Sequence, residues 1–267
     1  MDFAINHICT PKLPVEDFFA MVRRLGATQV EIRNDIPDVM NHIAPQTVKK
    51  AAEAAGVEIL SINALYPFNV WSRDMADRAV AMADYAQACG AKALVMCPLN
   101  DGTAVAQDDL VAALAALAPI LRQRGLTGLI EPLGFPVSSL RHKADAIVAI
   151  KAAGAQDVYQ LMHDTFHHHL AGETEFFPEW TGLVHISGVT DPTVAAQDML
   201  DAHRVLVDAD DRLGNVAQIR ALRDAGYTGT YSFEPFAKVV HDLADAERAL
   251  QTSMNYLRLA VQDPAHA

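Results

Sequence analysis

The chain has 267 residues, 51% of them hydrophobic, and a formal net charge of −12. That length and apolar content support a sizeable folded core and argue against disorder. The acidic balance, with no Lys/Arg run, argues against a nucleic-acid surface, which needs clustered basic residues.

Short apolar, β-rich runs alternate with alanine-rich amphipathic stretches from end to end. Strands are predicted at Phe3–Ile8, Gln29–Arg33, Glu58–Asn63, Ala93–Cys97, Gly128–Glu131, Val158–His163, Leu183–Ser187 and Thr230–Glu234. Helices are predicted between them at Val15–Leu25, Pro45–Ala55, Asp74–Cys89, Gln107–Arg124, Leu140–Ala153, Val216–Ala225 and His241–Val261. The sixth connection, Phe166–Trp180, reads as shorter and irregular. Gly26, Gly56, Gly90, Gly125, Gly154 and Gly226 each stand where a helix should end.

Eight strand–helix units in this length predict a single (β/α)₈ TIM barrel over residues 1–267. A doubly wound sheet is the alternative, but no Gly-rich turn follows the first strand. Cys9, Cys89 and Cys97 form neither a disulfide framework nor a metal-binding spacing, which fits a reducing compartment. Met1-Asp2-Phe3 lacks the basic start of a secretory signal, and charges interrupt every apolar stretch. A cytoplasmic protein without membrane partners is therefore expected.

The chemistry is carried by four strand ends: Glu131 in Ile130-Glu131-Pro132, Asp164 in Met162-His163-Asp164, His185 in Val184-His185-Ile186, and Glu234 in Phe233-Glu234-Pro235. Singly, each has an ordinary reading: an exposed turn, a helix cap, or a core histidine. Together they are an oxygen-rich set with one imidazole, suited to one divalent ion such as Mn²⁺, Co²⁺, Zn²⁺ or Mg²⁺. Alternation along each strand lets all four point inward at the carboxyl end of the barrel, where barrel enzymes place their chemistry. His163 has the opposite parity to Asp164 and is expected to face the helices. His7, Arg33 and Asn63 end the first three strands and are candidates to line a pocket, as are Phe68 and Trp71 in the loop after the third. Arg204 sits in the longest connection, Gly188–Asn215, a length more often functional than not.

These residues make the whole chain resemble the xylose isomerase-like barrels of sugar isomerases and epimerases. The resemblance implies that Glu131, Asp164, His185 and Glu234 hold one divalent metal. It also implies that Glu131 and Glu234 move the proton, and that His167 of the D-x-x-H group contacts substrate oxygens. Within the family, Val30-Glu31-Ile32-Arg33, Asn63-Ala64-Leu65 with Phe68-Asn69, and Arg204-Val205-Leu206 resemble the 2-keto-myo-inositol (inosose) isomerases of inositol catabolism. The chain departs from that subgroup at Asp208–Gly214, where a glycine-rich segment is usual.

The expected activity is isomerisation or epimerisation of a sugar or keto-polyol through an enediolate, with Arg204 and His167 steadying oxyanion charge. A metal-dependent lyase or dehydratase on a keto-sugar shares the first step. An apurinic-site endonuclease would need more histidine ligands and a basic rim. A noncatalytic sugar-binding barrel would have little reason to keep both glutamates. The partner expected is a small-molecule substrate, with homo-oligomerisation left open.

Overall fold

Eight parallel strands close into a barrel, β1 pairing with β2 and so on round to β8, which pairs back with β1, in a computed structural model that describes residues 1–36, 39–40 and 42–262. The single-domain expectation runs to 267, and residues 263–267 lie outside the described residues. The strands are β1 Phe3–Asn6, β2 Gln29–Arg33, β3 Glu58–Leu65, β4 Ala93–Met96, β5 Thr127–Ile130, β6 Tyr159–Asp164, β7 Thr181–Ile186 and β8 Tyr231–Phe233. The helices are α1 Val15–Arg24, α2 Pro45–Ala55, α3 Arg73–Cys89, α4 Gln107–Arg122, α5 Lys143–Ala152, α6 Thr165–Ala171, α7 Asn215–Asp224, α8 Lys238–His241 and α9 Ala246–Gln262.

Local chemistry explains most boundaries. Ser72 accepts from Met75 N and starts α3, Pro45 occupies the first position of α2, and Gly56 and Gly90 end helices in the left-handed region. Three expectations are corrected. The stretch Leu140–His142 is loop, because Leu133 N donates to the Leu140 carbonyl and Ser138 folds back on Leu140; α5 therefore begins at Lys143. The last helix is two pieces, since α8 stops at His241 and Asp245 caps a new start by accepting from Arg248 N at 2.9 Å. The sixth connection contains a regular helix, α6, started by Asp164 and closed by Gly172 at φ 65°.

The helix-facing strand residues pack with the helices into the main core, which includes Ile5, Ile32, Ile62, Ile130, Val184 and Phe233. The barrel interior is divided. Its β4–β7 side is apolar, with Val95, Leu129, Met162 and Leu183 in one cluster. From β1, β2, β3 and β8 come Asn6, Glu31, Ser61 and Ser232, all at 0% exposure. A buried polar wedge of this kind must be satisfied internally. Among the described residues, no helix is long and apolar enough to cross a membrane.

Candidate metal centre and its cavity

The four strand-end residues meet. Glu131, Asp164, His185 and Glu234 are all buried, and one ligand atom from each lies within 4.8 Å of the others. The barrel's register brings this about. Asp164 and His185 are direct partners across β6 and β7, while Glu131 and Glu234 each sit one residue past a strand. Their own N–H groups still donate to the neighbouring strands, Glu131 to Met96 O and Glu234 to Ile186 O. Asp164 serves two purposes with two oxygens. Its Oδ1 accepts from Phe166 N and His167 N, capping α6, while Oδ2 faces Arg204 and His185.

The imidazole of His185 stands between Glu31 on one side and Glu131, Glu234 and Asp164 on the other. Its Nδ1 lies 3.1 Å from Glu131 Oε1, 3.0 Å from Glu234 Oε2 and 3.9 Å from Asp164 Oδ2. Its Nε2 lies 3.0 Å from Glu31 Oε1. Burial opposes the charged ring, but Glu234, Glu31 and Glu131 outweigh burial and hold its pKa well above the usual histidine value. Burial likewise pushes Glu234 up, but His185, Arg204 and Arg33 together hold it well below the usual carboxylate range.

The donor set fits a divalent cation. Four buried carboxylates, Glu31, Glu131, Asp164 and Glu234, face two buried guanidinium groups, Arg33 and Arg204. With His185 neutral, the buried acids outnumber the guanidinium groups, an excess of negative charge that a divalent ion would offset. Oxygen ligands plus one imidazole are the preference of Mn²⁺, Co²⁺ or Zn²⁺ rather than of a soft, thiolate-seeking ion. The thiol of Cys97 donates to Glu131 Oε2 at 3.2 Å, and burial raises its pKa well above that of a free thiol.

Above the cluster opens a cavity of about 400 Å³ lined by Glu131 and Glu234, with Arg33, Asn63, His167 and Arg204 among the polar walls. Apolar surface comes from Leu133, Phe135 and Phe236. Arg33 and Arg204 both stack over the Phe236 ring, 4.9 and 4.7 Å from its centroid. Asn63 Nδ2 and Arg33 Nη1 donate to Glu234 Oε1 at 2.8 and 2.9 Å. His167 rests edge-on against Phe135 and Phe166. Gly134 allows the loop after β5 to come this close to α6: a Cβ there would sit 2.1 Å from the His167 carbonyl oxygen.

Three expected pocket residues are not brought to the cavity. His7 turns away, its Nε2 donating to Leu13 O at 3.0 Å while the ring stacks on Phe18 at 4.4 Å. Phe68 is fully buried in the main core, and Trp71 packs against that core. β1 ends at Asn6, two residues short of the expected Ile8, because the chain turns into a 3₁₀ segment at His7–Cys9. Arg204, by contrast, is 1% exposed and ties three acids together: Asp164 at 2.6 Å, Glu234 at 3.1 Å and Asp201 at 3.1 Å. His163 faces the helices and donates from Nε2 to Gln218 Oε1 on α7.

The residue missed by sequence reasoning is Glu31. It shares inward parity with Arg33 two positions on, so the alternation applied to β5–β8 would have found it on β2. Asp35, which grips Arg33 through two hydrogen bonds, gave no such signal because it lies beyond the strand.

The model of the xylose isomerase-like TIM barrel family matches residues 19–260. Comparison with curated protein sequences gives no match. Among solved structures, the chain is similar to a xylose isomerase domain containing protein from Salmonella typhimurium LT2, at 37% identity over 98% of this chain and 97% of that one, with a TM-score of 0.91. It is also similar to the IOLI protein with a binding zinc atom, at 20% identity, 98% of each chain and a TM-score of 0.85. A third is D-psicose 3-epimerase from Clostridium cellulolyticum H10, solved with D-tagatose, at 14% identity, 98% and 99% coverage and a TM-score of 0.76. The last two likenesses establish a shared fold alone. With a closed eightfold barrel, an acid–histidine cluster at its carboxyl end and a family match over most of its length, the chain belongs to the xylose isomerase-like TIM barrel family.

Proposed function

We propose that the protein is a divalent-metal-dependent isomerase or epimerase of a sugar or keto-polyol, with a keto-inositol as the first substrate to test. The observation that carries this reading is the placement of two glutamates, Glu131 and Glu234, on one buried ligand cluster at the floor of a cavity of monosaccharide size. The xylose isomerase domain of the 37% identical relative supports a sugar as the substrate class. The keto-inositol choice is supported by the Val30–Arg33, Asn63–Asn69 and Arg204–Leu206 resemblance.

When bound, a divalent cation would polarise a carbonyl and an adjacent hydroxyl oxygen, making the neighbouring C–H more acidic. The protein's own groups do the rest. One glutamate carboxylate takes the carbon-bound proton, leaving an enediolate; the second, once it has picked up a proton from solvent, delivers it to the adjacent carbon or to the opposite face of the same carbon, and the first releases its proton to solvent. His167, in the cavity wall, is the residue we assign to contact a substrate oxygen. Phe236 and Phe135 offer apolar surface to the C–H face of a ring. Arg204 acts mainly by holding Asp164 and Glu234, since its donors are committed to Ser187, Asp201 and those two acids.

The test is exchange of substrate protons with solvent deuterium across inososes and neutral ketohexoses, with metal content measured on the same preparation. Metal-dependent exchange with a keto-inositol supports the proposal. Failure of every ketone in the panel to exchange, in protein carrying its ion, removes it. Metal-dependent cleavage of DNA at abasic sites instead would favour a nuclease.

A further inference from the structure

Glu31 is a fully buried carboxylate that belongs neither to the ligand cluster nor to the cavity lining. An ionised group placed there is costly unless donors surround it. It has them. Ser61 Oγ donates to Oε2 at 2.6 Å, Ser232 Oγ donates to Oε1, and Asn6 Nδ2 stands 3.4 Å from Oε1. The Asn6 amide orientation is fixed, because its Oδ1 already accepts from Ile8 N at 3.0 Å. The remaining neighbour is His185 Nε2, 3.0 and 3.2 Å from the two carboxylate oxygens.

We propose that Glu31 is a positioning residue of the metal centre: it takes the Nε2–H of His185, leaving the Nδ1 lone pair aimed at the point where Glu131, Asp164 and Glu234 converge. The inference rests on the metal-site reading above. Its geometry is independent of which substrate is turned over. A neutral imidazole has one donor and one acceptor nitrogen, so a carboxylate on one side decides which nitrogen is free to bind a metal. A partner of this kind also fixes the ring plane and raises the basicity of the ligating nitrogen. The polar wedge of β1, β2, β3 and β8 is thereby accounted for. Asn6, Ser61 and Ser232 keep Glu31 charged and immobile, and Glu31 keeps His185 in register with three ligands on other strands.

The experiment uses the full-length protein and compares it with Glu31→Gln, a change of charge at nearly constant volume. Zn²⁺ and Mn²⁺ affinities are measured by chelator competition, and the Co²⁺ absorption spectrum is recorded for both proteins. The variant is expected to bind each ion about 10–100-fold more weakly and to shift the Co²⁺ bands, with kcat falling more than KM rises. In ¹⁵N-histidine NMR of the Zn²⁺-loaded wild type, His185 should carry its proton on Nε2. That measurement decides the question even where the variant folds poorly. A proton on Nδ1, or equal affinities with unchanged Co²⁺ bands in a folded variant, overturns the inference while leaving the metal site standing. A wild-type protein that takes up none of the three ions removes the metal-site reading, and this inference with it.

Discussion

Arg204 Nη2 lies 2.6 Å from Asp164 Oδ2, so the loop between β7 and α7 is tied by a buried ion pair to the last residue of β6. The same carboxylate caps α6 through its other oxygen. One side chain thus joins the start of the helix bearing His167, the ligand cluster and the long loop over the barrel mouth.

Replacing Asp164 should separate these duties. Asp164→Asn keeps an oxygen that can accept from Phe166 N, but leaves Arg204 without its closest counter-charge. Asp164→Ala removes the cap as well, at a further cost of about 1 kcal/mol. Both variants should lose the divalent ion, and the alanine variant should unfold earlier than the asparagine one. Metal analysis and thermal unfolding check the order; equal stability of the two would show that the cap contributes nothing.

Glu131→Gln and Glu234→Gln should differ in stability although both abolish exchange. Glu234 accepts from Arg33, Asn63 and Arg204, so an amide there faces guanidinium groups with half its acceptors gone. Outside the cluster, among the described residues, the Glu131 side chain accepts only from the weak Cys97 thiol donor. An exchange loss of roughly 10²–10⁴-fold is expected for each, set by acid–base catalysis. Only Glu234→Gln should also lower the unfolding temperature, and a scan of the two variants reads this directly.

Acid should weaken the fold through His7. Burial lowers its pKa from 6.5 to about 4, against the pull of the Leu13 carbonyl and with help from Arg33. The unfolded chain therefore takes up this proton before the folded one does. The contribution is present above pH 6.5 and is lost as pH falls to about 4, amounting to about 3 kcal/mol. His7→Gln, which keeps a donor for Leu13 O, should flatten the fall in denaturant midpoint over that window. An unchanged slope would assign the acid sensitivity to other groups.

A second buried network lies behind α6. Lys143 Nζ, in a side chain 3% exposed, contacts Glu173 Oε2 at 2.6 Å and His168 Nδ1 at 2.7 Å. Glu173→Leu alone should destabilise by about 3–5 kcal/mol, because it strands a buried ammonium. Lys143→Met combined with Glu173→Leu should recover most of that loss. Chemical denaturation of the single and double variants tests the pair, and additive losses would contradict it.

The barrel was legible because its signals are local: an apolar run, an amphipathic run and a glycine, repeated. The four ligand positions were legible because period-two alternation carries a strand-end residue inward without knowledge of its neighbours. What alternation cannot supply is a partner. Glu31 reaches His185 across 154 positions, and Arg204 reaches Asp164 across 40, from a loop with no periodic signal. Position at a strand end also overstated His7: a short 3₁₀ turn, His7–Cys9, begins where the strand was expected to continue, and it rotates the ring onto Phe18.

The four ligands come from β5 to β8, yet the carboxylate behind His185 comes from β2, and Ser232 of β8 holds that carboxylate. A chain whose last strand has not yet met its first can gather every ligand and still lack the hold on the imidazole. Tight uptake of the ion therefore reports circular completion of the sheet. Added to a refolding chain, the ion would act as a latch on the β8–β1 seam, slowing its reopening more than it speeds its formation.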